Sequence, residues 1–126
     1  MINTTLSQNG RVKMDAFVIE VGGWDWSEIE EVTGYKPITT FWSDFSIAER
    51  FKGGIEDTYK RAFNEWKSDV KYITELSMVL NWKSWWWSKR NREMALLYQD
   101  LWIKTHDWCL DNLKGDGLSY YLNITN

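Results

Sequence analysis

The side chains best suited to chemistry are His106 and Cys109, the only histidine and the only cysteine of the 126-residue chain. Three residues apart on a helix, an imidazole and a thiol can meet as a base and a nucleophile. Such a pair needs a third group to orient the imidazole, and the sequence identifies none. A structural zinc site ordinarily needs four histidine or cysteine ligands. We therefore expect a buried structural thiol, a partly exposed imidazole, no metal and no cofactor.

Carboxylates and glycines give no stronger catalytic candidate. A di-iron bundle needs Glu-x-x-His pairs, and the chain has none. Asp100, Asp107 and Asp111 share one helical face, but Lys104 lies among them, which is typical of a solvated surface. The glycine pairs at 22–23 and 53–54 lack the phosphate-binding patterns, and a Gly-x-Ser-x-Gly elbow is absent. We expect a protein that is not an enzyme.

A run of tryptophans and cations between residues 81 and 92 has a composition that no ordinary core requires. It holds four of the ten tryptophans and four positive charges. Tryptophan and arginine are enriched at protein-binding hot spots, and aromatic rings beside cations also suit single-stranded nucleic acid. The candidate partner-binding residues are Trp82, Lys83, Trp85, Trp86, Lys89, Arg90 and Arg92. In the alternative interpretation, residues 85–87 close the end of a bundle and the charges mark a solvated turn.

The composition limits the fold class and the partners that are expected for this chain. The chain is 44% hydrophobic, 26% charged and 17% aromatic, with a single proline, which indicates a compact helical domain over residues 1–126. Residues 1–11 are polar and without period, so a loose N-terminal arm is expected there. The formal charge of −3 gives no overall attraction to nucleic acid or anionic membrane. With no signal sequence and no long apolar run, we expect a cytoplasmic protein without a membrane contact.

The first half of the chain predicts short elements. Residues 16–19 form an apolar run that fits either a strand or a short helix. A capping box at residues 27–30 predicts one short helix that ends at Gly34, and a second box at residues 46–49 predicts another that starts at Ser46.

The second half predicts three longer elements and a docking tail. Residues 55–67 are amphipathic, residues 70–87 follow a start signal at Ser68-Asp69 and are apolar on most sides, and residues 93–113 form a further helix. In the central helix, Met78, Trp82 and Trp85 fall within a narrow polar stripe formed by Lys71, Thr74, Glu75 and Asn81, so they are expected to be exposed. The main stripe of the last helix contains Met94, Leu97, Leu101, Trp108 and Cys109. Residues 118–122 are apolar enough to dock on the bundle.

The last helix carries a second apolar stripe. Leu96, Ile103 and Leu110 recur every seven residues, on the far side from the main stripe. A helix with two stripes contacts two neighbours. The second neighbour is either the N-terminal region or another copy of the chain, so a homodimer through these three residues is one alternative.

Several runs resemble a family of small hypothetical proteins associated with phages and mobile elements of gut bacteria. These are residues 39–51 (TTFWSDFSIAERF), 57–67 (DTYKRAFNEWK), 71–76 (KYITEL) and 79–83 (VLNWK), then Leu97-Tyr98, Leu101-Trp102, 112–115 and 118–120. The similarity spans most of residues 38–121, and the family has no assigned activity. It implies a context in which small acidic proteins are often inhibitors or adaptors of a host protein, including defence nucleases.

Taken together, the sequence predicts a mainly α, single-domain helical bundle with short N-terminal helices. Its expected function is non-enzymatic binding of a protein from the host or the mobile element through residues 82–92, and the resemblance adds an anti-defence role to that expectation. The alternative is single-stranded nucleic-acid binding through the same residues.

Overall fold

The computed structural model describes residues 37–125, which form five α-helices and no strand. The helices are α1 (Phe41–Ala48), α2 (Gly54–Trp66), α3 (Val70–Trp87), α4 (Arg92–Asn112) and α5 (Gly115–Thr125). The predicted mainly α bundle is confirmed over this range. The predictions for the loose arm at 1–11, the run at 16–19 and the helix that ends at Gly34 lie outside the described residues.

Helix α1 starts five residues earlier than its capping pattern predicts. Ser46 is an interior residue of α1, and its hydroxyl donates to the carbonyl of Trp42 at 3.0 Å. The start is instead fixed from α3, where the Glu75 carboxylate accepts the backbone N–H of Ile38 at 3.1 Å and of Thr39 at 2.9 Å. The prediction that this helix begins at Ser46 is wrong, because a carboxylate distant in sequence provides the stronger local constraint.

Helix α2 confirms the predicted amphipathic segment. Ile55 and Ala62 are buried in the core, and Tyr59, Phe63 and Trp66 are half-buried against it. Aromatic contacts then tie α2 to its neighbours: Phe63 meets Trp108 of α4 edge to face at 5.4 Å, and Trp66 packs on Tyr72 of α3 at 4.2 Å. The apolar stripe of α2 therefore determines where the helix sits on the bundle.

Helix α3 is the centre of the described bundle. Its start is as predicted, because the Asp69 carboxylate accepts the N–H groups of Lys71 and Tyr72 at 3.0 and 3.2 Å. Each of the other four helices packs against it, and every residue from 73 to 80 is buried.

The prediction of an exposed polar stripe along α3 is wrong at the middle of the helix. Thr74 and Glu75 are buried, Met78 is 3% exposed and Trp82 is 0% exposed. Sequence pattern locates a polar face only when that face meets water, whereas here other parts of the protein cover it. Trp85, the third residue expected at the surface, is exposed as predicted.

Helices α4 and α5 complete the packing. The Asn91 side chain caps α4 by accepting the N–H of Met94 at 3.2 Å, and the main stripe faces the core as predicted. The second stripe is exposed, with Leu96 at 48%, Ile103 at 44% and Leu110 at 42%. The apolar tail docks as expected: it forms α5, whose Tyr121 is fully buried.

Alanine substitutions at two glycines near helix starts test this packing. Their expected effects on the free energy of unfolding have opposite signs. A Cβ on Gly54 would lie 2.5 Å from the backbone carbonyl oxygen of Ala48, whereas a Cβ on Gly117 would lie 3.6 Å from Cγ2 of Val70, an ordinary contact. We expect Gly54→Ala to lower the free energy of unfolding by about 2 kcal/mol through overpacking. Gly117→Ala should raise it by about 0.5 kcal/mol, because alanine favours the helix. Urea unfolding followed by circular dichroism measures both, and a destabilising Gly117→Ala would contradict the placement of α5.

Candidate functional site

Three of the seven candidate binding residues are buried. Trp82 stacks on Trp86 with ring centroids 5.4 Å apart and meets Trp42 of α1 edge to face at 5.3 Å. Lys83 is fully buried, and Trp86 is only 9% exposed. The inclusion of Trp82, Lys83 and Trp86 among surface contact residues is therefore corrected, since α3 buries all three within the bundle.

Lys83 belongs to a buried polar network instead of a surface patch. Its Nζ lies 3.2 Å from Oε2 of Glu49 and donates to the Ser46 hydroxyl at 2.9 Å. The same Glu49 oxygen accepts the Tyr98 hydroxyl at 2.6 Å and the Trp87 indole N–H at 3.2 Å. One carboxylate at the end of α1 thus connects α1, α3 and α4.

The sequence contains a signal for the burial of Lys83 that pattern reading missed. Lys83 follows Leu76, Val79 and Leu80 by seven, four and three residues, so it continues their apolar face along α3. A lysine in such a register needs an internal carboxylate. Glu49 is 34 positions away, and spacing alone cannot identify it.

The other four candidates are exposed at the turn between α3 and α4. They are Trp85, which is 48% exposed, and the cations Lys89, Arg90 and Arg92. The Arg90 guanidinium lies 3.5 Å from the centroid of the Trp86 ring and donates to the Trp86 carbonyl at 2.5 Å. These two interactions hold Arg90 in place, and the guanidinium covers one face of the Trp86 ring. We call these four exposed residues the Trp85 surface.

Helical geometry places Leu96 on the same side of the α3–α4 hairpin as Trp85. The Ser84 hydroxyl donates to the carbonyl of Ala95 at 3.1 Å, so residues 84 and 95 face each other across the α3–α4 hairpin. In a pair of antiparallel helices, the two residues that directly follow a facing pair both point to the same side of the helix pair. Trp85 and Leu96 both lie on that side, and both are exposed. The exposed residues Leu96, Ile103 and Leu110, which we call the α4 ridge, therefore continue the apolar surface from Trp85.

The His106 and Cys109 pair is held by a third group that the sequence did not reveal. The Tyr121 hydroxyl of α5 lies 2.8 Å from Oγ of Ser77 and 2.7 Å from Nδ1 of His106. The Trp102 ring stacks on the imidazole at 5.2 Å. Cys109 is fully buried and His106 is partly exposed, as predicted.

The environment of Cys109 opposes nucleophilic chemistry. Burial raises the pKa of the Cys109 thiol to about 12, although its hydrogen bond with Tyr121 opposes that shift. Burial also raises the pKa of the Tyr121 hydroxyl. Because the thiolate is the reactive form of cysteine, a thiol that stays protonated is a structural group. This cluster joins α3, α4 and α5.

Within residues 37–125, no three His, Cys, Asp or Glu side chains lie close enough together to hold a metal ion. Across the same residues, none of the helices is both long and apolar enough to span a membrane.

Comparison of the chain with protein-family models, with curated proteins and with solved structures finds no match in any of the three. Function is therefore inferred from the geometry of the Trp85 surface and the α4 ridge.

The buried ion pair predicts a large effect at Lys83. Replacing it with methionine leaves the mostly buried Glu49 carboxylate without this cation, so we expect Lys83→Met to lower the free energy of unfolding by about 3 kcal/mol. The matched control is Lys104→Met, which removes the exposed pair between Lys104 and Asp100, 3.2 Å apart, and should cost under about 0.5 kcal/mol. Urea unfolding measures both variants. Equal small losses would show that the network adds little to stability.

The raised pKa of Cys109 predicts a loss of stability in alkali. The unfolded thiol ionises near its ordinary pKa of 9.0, while the folded thiol keeps its proton up to about pH 12. Above pH 9 the folded state therefore binds more protons than the unfolded state, and stability falls as pH rises. Between about pH 8 and about pH 10.5, the wild type should lose about 1–2 kcal/mol more than Cys109→Ala. Parallel curves for the two proteins would contradict a buried thiol with a raised pKa.

Proposed function

We propose that this protein is a non-enzymatic binding protein that acts on a protein partner, with the Trp85 surface as its point of contact. The observation that carries the proposal is the half-exposed indole of Trp85 beside three exposed cations. Covering the remaining exposed half of a tryptophan removes about 100 Å² from water, which contributes about 2.5 kcal/mol to binding. Trp85 is thus suited to act as an anchor at the centre of a small interface.

The charges beside Trp85 favour an acidic partner. Lys89, Arg90 and Arg92 concentrate positive charge in a molecule whose formal net charge is −3. A local patch of opposite sign to the whole molecule directs an acidic partner to one place on the surface and contributes mainly to specificity and association rate. Arginine and tryptophan together also match the composition of protein hot spots.

The sequence resemblance supplies a context for such a partner. Proteins of phages and mobile elements meet host proteins in the cytoplasm, and a small acidic inhibitor or adaptor that blocks a host defence protein fits the resemblance. We include this context, and a cytoplasmic location, in the proposal.

Binding of single-stranded nucleic acid is the second candidate, favoured by the same ring and cations. A stacking platform uses successive aromatic rings, one for each base. At this surface Trp85 is exposed, but Trp82 and Trp86 are buried and Arg90 lies on the Trp86 ring. The arrangement fits one anchoring side chain in a protein pocket better than a series of stacked bases.

The proposal predicts that partner capture depends on Trp85 and Arg92. In a pull-down from host lysate quantified by mass spectrometry, the Trp85→Ala, Arg92→Ala double variant should recover a specific partner at about a tenth of the wild-type level or less. The matched control is Phe51→Ala, because Phe51 is also a large exposed aromatic, at 65%, but lies at the α1–α2 turn. Circular dichroism checks that all three proteins fold alike.

Three results would contradict the proposal. A partner recovered equally by the double variant would place the contact elsewhere. Capture that is lost on nuclease treatment of the lysate, or a steep loss of binding to a labelled oligothymidine between low and moderate salt, would favour the nucleic-acid candidate.

A further inference from the structure

The negative charge of the protein is concentrated before the described bundle. Residues 1–36 contain six acidic residues and three basic ones, whereas the other 90 residues contain twelve of each. All six acids fall within residues 14–35, which hold no lysine or arginine. The densest part is residues 24–31 (WDWSEIEE), with four carboxylates, two tryptophans and an isoleucine. We call residues 24–31 the acidic segment, since it combines charge with large apolar side chains.

The Trp85 surface carries the complementary charge. Lys89, Arg90 and Arg92 are exposed, and no acidic side chain of residues 37–125 forms an ion pair with any of them. Three neighbouring cations repel one another, so carboxylates placed among them lower the electrostatic energy. The exposed part of the Trp85 indole beside them offers an apolar contact for tryptophan or isoleucine side chains.

The acidic segment is near enough in the chain to reach this surface. The N–H of Thr39 donates to the Glu75 carboxylate at 2.9 Å, which fixes where the chain meets α3. Trp85 follows Glu75 by ten residues, which is about 15 Å along α3 and about 80° around it. The eight residues that separate Glu31 from Thr39 span up to about 27 Å when extended. The segment therefore reaches the Trp85 surface with α1 in its place.

The α4 ridge lies further round the bundle from this entry point. Ser84, which faces α4, follows Glu75 by nine residues and so points to the opposite side of α3. Trp85 is thus the nearer target for a segment that joins the bundle beside Glu75.

The tether favours the chain's own segment over other acidic occupants. A short linker holds a segment at an effective concentration of about 1 mM at a site within its reach. The acidic end of α4 in a second copy, with Asp107, Asp111 and Asp116, can also meet these cations, but only at the free concentration of the protein. A separate acidic protein is subject to the same limit.

We propose that the acidic segment binds the Trp85 surface of its own chain. Its carboxylates lie beside Lys89 and Arg92, and its apolar side chains cover part of the Trp85 indole. The segment then occupies the place where an acidic partner is proposed to bind, so the partner must displace it. This consequence for the partner rests on the proposed function, whereas the contact within the chain does not.

The test is paramagnetic broadening in the NMR spectrum of the full chain. A nitroxide is attached to Ser27→Cys in the acidic segment, and the native Cys109 is fully buried, which confines the label to one site. We expect the amides of residues 88–92 and the indole N–H of Trp85 to lose most of their intensity.

Ser119 is the internal control for reach. It is exposed on α5, whose Gly117 lies against Val70 at the start of α3, five residues before Glu75. A segment that only moves around its entry point would broaden the Ser119 amide at least as strongly as residues 88–92. We expect the Ser119 amide to keep its intensity.

Charge reversal shows whether the contact depends on the proposed pairing. Lys89→Glu with Arg92→Glu should restore the lost signals. The matched control is Lys60→Glu with Arg61→Glu, the same charge change at two exposed positions of α2, which should leave the signals broadened. Circular dichroism checks that both double variants fold like the wild type.

A charge exchange separates direct pairing from indirect effects of the reversal. Adding Glu28→Lys and Glu30→Lys to the Lys89→Glu, Arg92→Glu variant should bring the broadening back, because opposite charges then face each other again. High salt should weaken the broadening in the wild type.

Contrary results are distinguishable. Loss at neither place, or equal loss at residues 88–92 and at Ser119, overturns the contact. Loss at Leu96, Ile103 and Leu110 instead would place the segment on the α4 ridge and also overturn it. A mixture of isotope-labelled chain without nitroxide and unlabelled chain with nitroxide gives the last case: the same loss at residues 88–92 would make a second copy the source of the segment.

The consequence for the partner is measured in the pull-down. Glu28→Lys with Glu30→Lys should recover about three-fold more partner than the wild type, because the competing segment is displaced. Unchanged recovery would overturn the competition. The proposed function fails separately, when recovery no longer depends on Trp85 and Arg92 while the broadening at residues 88–92 persists.

Discussion

The middle of α3 is surrounded by protein, so its buried polar side chains need partners inside the molecule. A buried polar group without a partner is costly, and a buried charge is more so. Three polar residues of α3 satisfy this requirement in three directions. Glu75 binds the chain that enters α1, Ser77 binds Tyr121 of α5, and Lys83 binds Glu49 at the end of α1.

These three contacts explain how apolar helices that could slide or rotate on one another hold one arrangement. Hydrophobic burial is non-directional and supplies most of the driving force. Hydrogen bonds and the ion pair have fixed geometry, so they select among packings of similar apolar area. One oxygen of Glu49 meets groups from both α3 and α4. By holding α1 against α3, the network also keeps Trp82 and Trp86 inward.

The limits of sequence reasoning follow from the same contacts. Residues whose partners lie nearby in the chain were predictable: Asp69 caps α3, and the stripes of α2 and α4 place their helices, because these features depend on spacing of three or four residues. Residues whose partners are distant were not. The start of α1 depends on Glu75, 36 positions from Thr39, and the burial of Lys83 depends on Glu49. Likewise Tyr121, which holds the His106 imidazole, is 15 positions away on another helix. At the candidate site, four of seven residues were placed at the surface correctly, and the three errors are the residues that this long-range network draws inward.

The exposure of Trp85 acquires meaning from its neighbours. A single apolar side chain at a protein surface needs no explanation. Here the helix register that buries Trp82 and Trp86 leaves Trp85 facing outward, and the α3–α4 hairpin brings Leu96 to the same side. The apolar surface that begins at Trp85 and continues along α4 is the feature on which the proposed recognition of a partner rests.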